Sequence, residues 1–168
     1  MAKRLPVIAL GAAVIALLVI GLASGASGRT EHHFVLTEHA AYLKTTQGYP
    51  SPGGRSLQAG ALRLQLGGDV KRGASRQRIE VVSINKNVVD FKAKLTAYVH
   101  NGSIEGKYHG AATFQQDGSA TVVGEGRITD GTGAYRDATG KLTGTGSIPS
   151  PPVVGTIITI RAEGTINY

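Results

Sequence analysis

The most constraining feature of the sequence is the strict alternation of apolar and polar side chains over residues 89–100. A period of two is typical of a β-strand with one buried and one exposed face, because successive side chains of a strand point to opposite sides. We expect the inward side chains to be Val89, Phe91, Ala93, Leu95, Ala97 and Val99. The dipeptide Asn101-Gly102 follows and predicts a tight turn, so the run forms the first arm of an antiparallel hairpin.

Shorter extended runs occupy most of the remaining chain, and no apolar period near 3.6 residues follows the first 26 residues. The runs cover residues 34–43, 61–66, 79–84, 89–100, 104–114, 120–129, 141–143 and 154–167. They predict an all-β fold of about eight antiparallel strands, arranged as a barrel or a sandwich. A barrel is favoured because closure removes the exposed edges of a sheet.

Glycine and turn residues are concentrated in residues 126–146. Asp130-Gly131 predicts a type I′ turn, because both central positions of that turn need a positive φ, and residues 137–140 predict a second turn. Glycines recur at every second position on both sides of these turns, at Gly124, Gly126, Gly144 and Gly146. In a strand this spacing removes side chains from one face, which allows close backbone approach or the tight curvature of a small barrel.

Residues 128–140 resemble the I-T-G-G-T-G-x-[YF]-x-x-A-x-G stretch of the allene oxide cyclase and dirigent proteins, with Asp130 where that family has glycine. Residues 102–108 are similar to the family's G-x-I-x-x-x-G strand, although the second glycine comes early. The resemblance covers residues 62–168, and residues 34–43 only loosely. It implies a small β-barrel with an apolar cavity that assembles as a homotrimer.

The first 26 residues have the pattern of a secretory signal peptide. Lys3 and Arg4 precede an almost unbroken apolar run that ends at Leu22, and small residues lead to Ala26, after which we expect cleavage. Residues 27–168 then form a single domain, which is secreted, periplasmic or held in the cell envelope. The alternative is an uncleaved N-terminal helix that anchors the chain in a membrane.

Glu38 is the candidate for a catalytic residue. It shares a predicted strand face with Phe34, Leu36, Ala40 and Tyr42, and a carboxylate on an apolar face is costly unless it is paired. In one interpretation, Glu38 points into the barrel as a general base or a ligand contact. In the other, the strand is twisted and Glu38 faces water or a neighbouring lysine. The sequence favours the second interpretation.

The family resemblance adds weight to the first interpretation. The catalytic glutamate of allene oxide cyclases also lies on the first barrel strand, so the resemblance implies this role for Glu38. Ala40 stands where that family has an asparagine, which is a departure from the pattern. Phe34, Tyr42 and Tyr108 are the accompanying candidates for contact with a small hydrophobic ligand.

A dense basic cluster, Lys71, Arg72, Arg76 and Arg78, is predicted on a loop before the strand at residue 79. It is a candidate site for an anionic partner such as an envelope polymer. No aromatic residues alternate with these cations, so we expect no specific nucleic acid. Phosphate-loop and dinucleotide motifs are incomplete, and the histidines lack metal-ligand spacing. We therefore expect neither a cofactor nor a metal.

Two functions fit this sequence. In the first, an exported barrel is a non-catalytic protein that binds a small hydrophobic ligand or serves as a scaffold. In the second, it is a cyclase-, isomerase- or dirigent-like enzyme that guides the cyclisation or coupling of a reactive small molecule. Binding a ligand requires a hollow barrel with a few convergent polar groups, whereas a scaffold barrel can be filled.

We predict that the leader is removed on export. Mass spectrometry of protein recovered from the medium or the periplasm should give an N-terminus near Ser27. Recovery of the chain from the membrane fraction with Met1 still in place would instead support the uncleaved anchor.

Overall fold

The computed structural model describes residues 29–168, and the leader predicted at residues 1–26 lies outside the described residues. Within this range, no helix has the length and hydrophobicity that crossing a membrane requires. The strands are β1 (Glu31–Thr45), β2 (Arg55–Leu66), β3 (Asp69–Asn85), β4 (Val88–Val99), β5 (Gly102–Phe114), β6 (Ala120–Gly133), β7 (Thr139–Ile148) and β8 (Ile157–Asn167).

The eight strands form one closed antiparallel barrel. Each strand pairs with the next one along the chain, and β8 pairs with β1 to complete the ring. The closing contact is long, since it runs from Glu31 opposite Asn167 to Ala41 opposite Ile157. The predicted all-β, eight-stranded antiparallel barrel is confirmed.

Several strand boundaries differ from the sequence pattern, among them those of β2, β3 and β8. β2 begins at Arg55 and β3 at Asp69, well before the apolar runs in each of them. The two strands pair without interruption from Leu66 opposite Asp69 to Arg55 opposite Glu80. Backbone hydrogen bonds along this ladder therefore keep the polar segments extended, although the side-chain pattern of these segments does not predict a strand. The prediction that the basic cluster lies on a loop is therefore wrong, because all four cations lie on β3. β8 begins at Ile157, after a turn, and not at residue 154.

The prediction of a turn at Asp130-Gly131 is also wrong. β6 continues through both residues to Gly133, and the chain turns at residues 134–137. Asp137 takes the left-handed conformation there, with φ 58°. Gly131 is needed for a different reason: a side chain at this position would run into the carbonyl oxygens of Tyr135 and Ser103.

The alternation predicted for β4 is confirmed, with one informative difference. Phe91, Ala93 and Val99 are buried and Lys94 is exposed, as the period of two predicts. Leu95 points inward but is only half-buried, because it lies on the wall of an internal cavity. The turn after β4 also forms where Asn101-Gly102 predicts it, and Asn101 has φ 72°.

The interior is built in layers along the barrel. One apolar cluster, which includes Phe34, Leu36 and Leu64, fills the end where β1 begins. A second cluster, which includes Tyr42 and Val81, fills the opposite end. Between the two clusters lie four buried polar side chains, which we call the polar layer: Glu38, Gln58, Ser75 and Gln77.

The wall facing the large side chains of β1–β3 is rich in glycine. Gly110, Gly124 and Gly144 lie side by side on β5, β6 and β7. A Cβ atom on Gly124 would come within 2.9 Å of the His109 carbonyl oxygen, so the backbones approach closely at this point. The Phe91 ring packs over Gly110, whereas Gly124 and Gly144 lie on the cavity wall, so the absence of side chains at these two positions leaves space in the interior.

The layered core predicts a contrast between two leucines. Leu64 is 2% exposed and Leu43 is 52% exposed. Leu64→Ala should lower the free energy of unfolding by about 2–5 kcal/mol, the usual range for a buried leucine, and Leu43→Ala by about 0.5 kcal/mol or less. Urea denaturation of both variants measures the difference, and equal losses would contradict the inward register of β2.

Candidate functional site

The interior of the barrel, its lumen, contains a cavity of about 110 Å³. The walls are mainly apolar and come from all eight strands, with Leu36 and Ile160 among the lining residues. Tyr49 and Pro50, from the loop between β1 and β2, complete the wall at one end. The polar atoms that reach this cavity are few, so they define where a ligand could be held in a fixed orientation.

Glu38 lies in the middle of this lumen. It is 1% exposed and stands opposite Leu62 of β2 and Ile160 of β8. The interpretation that Glu38 faces water or a lysine is therefore wrong. β1 keeps its alternation through this region, so Glu38 points the same way as Leu36 and Ala40, which are both buried.

Two side chains of β3 donate hydrogen bonds to the Glu38 carboxylate. The Ser75 hydroxyl donates to one carboxylate oxygen, and the amide Nε2 of Gln77 donates to the other at 2.5 Å. The other end of the Gln77 amide accepts a hydrogen bond from the hydroxyl of Tyr108 on β5. This chain of contacts fixes the orientation of the Gln77 amide and connects Glu38 with Tyr108 across the polar layer.

The environment favours the neutral form of Glu38. Burial raises the pKa of this carboxyl, and the hydrogen bonds from Ser75 and Gln77 oppose the rise without cancelling it. Burial and then the neighbouring Glu38 charge raise the pKa of the Tyr108 hydroxyl. Glu38 is thus a carboxyl that can take up a proton inside an apolar lumen at a higher pH than an exposed glutamate can.

Gln58 is the least satisfied polar group of the lumen. Its side chain is 0% exposed, and neither its amide nitrogen nor its amide oxygen makes a hydrogen bond of good geometry within residues 29–168. The Tyr42 hydroxyl, from the residue directly opposite on β1, interacts with this amide only weakly. It lines the same cavity as Glu38 and Gln77. A buried polar group without a partner is costly, so the unpaired Gln58 amide marks a position where a ligand or a water molecule would be bound.

The other members of the polar layer were missed in the sequence. A signal for Ser75 and Gln77 was present, because these two residues alternate with the exposed Arg76 and Arg78 and must then point inward. No comparable signal identified Gln58.

The sequence candidates for ligand contact all lie on the cavity wall. Phe34, Tyr42 and Tyr108 line the cavity together with Glu38. The ring of Tyr108 packs edge-on against Phe91, with 6.0 Å between centroids. The structure therefore brings Glu38 and the three aromatic candidates into one lumen. Their roles in binding or catalysis stay predictions. Among residues 29–168, no three histidine or acidic side chains come together in a way that could hold a metal ion.

Comparisons with known proteins bear on the fold. No family model matches the chain, and no curated protein does. The solved structure of a pyocyanin demethylase is 17% identical, covering 80% of this chain and 98% of that one, with a TM-score of 0.45. The structure of the pterocarpan synthase dirigent protein GePTS1 is 12% identical, covering 86% of this chain and 88% of that one, with a TM-score of 0.50. The similarity to the dirigent protein supports a shared barrel fold.

We predict that Glu38 gives stability a specific pH dependence. Since the folded state raises the pKa of this carboxyl, the folded chain holds the proton more tightly than the unfolded chain does. The contribution of Glu38 to the free energy of unfolding is therefore largest below the ordinary glutamate pKa. It falls as pH rises from that ordinary pKa to the raised pKa of the folded state. Glu38→Gln should remove this fall, so the variant gains stability relative to the native protein as pH rises above the ordinary glutamate pKa of about 4.3.

Urea denaturation at a series of pH values measures this difference. Glu163→Gln, at an exposed position of β8, is the matched control and should keep the native pH dependence. Parallel pH profiles for the native protein and Glu38→Gln would contradict a buried carboxyl with a raised pKa.

Proposed function

We propose that the barrel binds a small, largely apolar molecule in its lumen and holds one polar group of that molecule at the polar layer. The observation that carries this proposal is the Gln58 amide, which is buried on the cavity wall and makes no hydrogen bond of good geometry within the described residues, its contact with the Tyr42 hydroxyl being weak. A ligand with a hydroxyl or carbonyl group would satisfy this amide. It would at the same time fill space between apolar walls.

The size of the cavity limits the ligand. At about 110 Å³, the cavity is somewhat smaller than an engineered apolar cavity of roughly 150 Å³ that binds benzene. A single ring is therefore the upper limit of ligand size, and a ring with a small substituent, such as phenol or toluene, requires small shifts of the cavity wall. A larger molecule would require the loop with Tyr49 and Pro50 to move away from the end of the lumen.

A cyclase-, isomerase- or dirigent-like activity would use the same lumen. Glu38 is the group in it that could accept or return a proton, and the family resemblance assigns the catalytic role to this position. Binding precedes reaction in either case, so ligand binding is the function we propose. Export from the cell and assembly as a homotrimer stay predictions, and so does an anionic partner at the basic cluster.

Gln58→Leu should separate the polar contact from the apolar one. The variant should bind phenol about 3- to 10-fold more weakly than the native protein, because one hydrogen bond contributes about 0.5–1.5 kcal/mol. Its affinity for toluene should be unchanged or higher. Isothermal titration calorimetry with both compounds gives the comparison. The variant should also be at least as stable as the native protein, because a buried unpaired amide has been removed.

Gln65→Leu, at an exposed position of the same strand, is the matched control and should leave both affinities unchanged. The proposal is overturned if neither compound binds the native protein, or if Gln58→Leu weakens phenol and toluene equally.

A further inference from the structure

Five cations lie side by side on the outer surface of the barrel. The register pairs Arg78 of β3 with Lys94 of β4, Lys94 with Lys107 of β5, Lys107 with Arg127 of β6, and Arg127 with Lys141 of β7. All five side chains are exposed. Neighbouring strands are about 4.8 Å apart, so the five form a continuous row across about 19 Å of the wall. We call Arg78, Lys94, Lys107, Arg127 and Lys141 the cation row.

The fold gains nothing from this arrangement. Like charges at directly opposite positions of an antiparallel pair are destabilising, and the cation row contains four such pairs in succession. None of its five members makes an ion pair with any residue in the range 29–168. The row is therefore a set of unpaired charges that the barrel holds close together.

The adjacent row of the same wall is arranged differently. This row lies two residues away from the cation row on each strand, and from β3 to β6 it consists of Glu80, Lys92, His109 and Glu125. Here Lys92 forms an ion pair with Glu80 at 2.9 Å, and the His109 ring lies 3.3 Å from the Glu125 carboxylate, a contact that is an ion pair when the imidazole is protonated. The same sheet therefore pairs its charges in one row and leaves a row of one sign next to it.

Part of the cation row borders a shallow depression on the outer surface. Arg78, Lys94 and Lys107 line it, and its volume is about 630 Å³. Arg55 and Lys92 line it as well, and both are paired with the Glu80 carboxylate in the same depression, at 3.2 Å and 2.9 Å. Lys44 also lines it and makes no ion pair within residues 29–168, so the depression places one further unpaired cation beside the row.

The curvature of the barrel selects the kind of partner. In a closed eight-stranded barrel, the outward direction turns by about 45° from one strand to the next. From β3 to β7 it therefore turns by about 180°, so a planar anionic membrane could contact only two or three members of the row at once. A flexible chain can bend around the wall and contact all five.

We propose that the cation row binds a flexible linear polyanion, a single chain with one carboxylate or phosphate group per repeat. The contacts are charge to charge, since no aromatic side chain belongs to the row to stack on a base. This outer site is separate from the lumen and does not depend on what the lumen binds.

The test compares two matched double variants. Arg78→Gln with Arg127→Gln removes two charges from the row. Arg63→Gln with Arg161→Gln removes two exposed charges from β2 and β8, outside the row and the depression. Binding is measured by isothermal titration calorimetry with a ten-unit oligogalacturonate and with linear polyphosphate, each at several salt concentrations.

The native protein and the control double variant should bind the oligomers with the same strong salt dependence. The row double variant should bind several-fold more weakly, and its slope of log affinity against log salt should be shallower by roughly 1–2. It should be no less stable than the native protein, since like-charge contacts are relieved. Oligogalacturonate binding without polyphosphate binding, or the reverse, identifies which anionic group the row accepts.

Three outcomes would overturn the proposal. The first is that neither oligomer binds the native protein. The second is that both double variants lose affinity equally, which would mean that total charge matters and the row does not. The third is that phosphatidylglycerol vesicles bind as tightly as the oligomers and lose the same affinity in the row double variant, which would indicate a membrane as the partner.

Discussion

The pairing of β1 with β8 is the constraint on which the rest of the structure depends, because it fixes the circumference of the barrel at eight strands. The interior of such a barrel is just wide enough for side chains to fill it. Whether it is full or hollow then depends on the size of the inward residues. Gly124 and Gly144 leave part of the cavity wall without side chains. The cavity is a consequence of closure combined with these glycines.

The polar layer gives the hollow interior its chemical character. Glu38 loses hydration in the lumen, and Ser75 and Gln77 replace only part of it. Gln58 makes no hydrogen bond of good geometry within the described residues, and its contact with the Tyr42 hydroxyl is weak. The layer lies between two apolar clusters, so a molecule that enters the cavity meets polar atoms at one level of the barrel. This arrangement can orient a ligand as well as hold it.

Local patterns were sufficient to predict the number and order of the strands, but not all of their boundaries and only part of the site. The alternation of β4 and the turn at Asn101 follow from residues next to each other, and both were correct. The direction of Glu38 also follows from the alternation of β1, although this signal is weakened because Val35 and Leu43 make the other face of the strand partly apolar as well. Ser75 and Gln77 are separated from Glu38 by 37 and 39 residues. Only the register of three strands brings them together, and one sequence does not specify that register.

The closing pair of strands also bears on how the chain reaches its native state. His39 and Thr159 are 120 residues apart in sequence, yet their side chains are in hydrogen-bond contact at 3.1 Å. Contacts between distant residues slow folding, because the entropy of closing a long loop is lost before the contact stabilises the chain. Seven of the eight strand pairs join neighbours along the chain and can form early. The eighth joins the two ends of the sheet, so the rate of folding should depend on this last step.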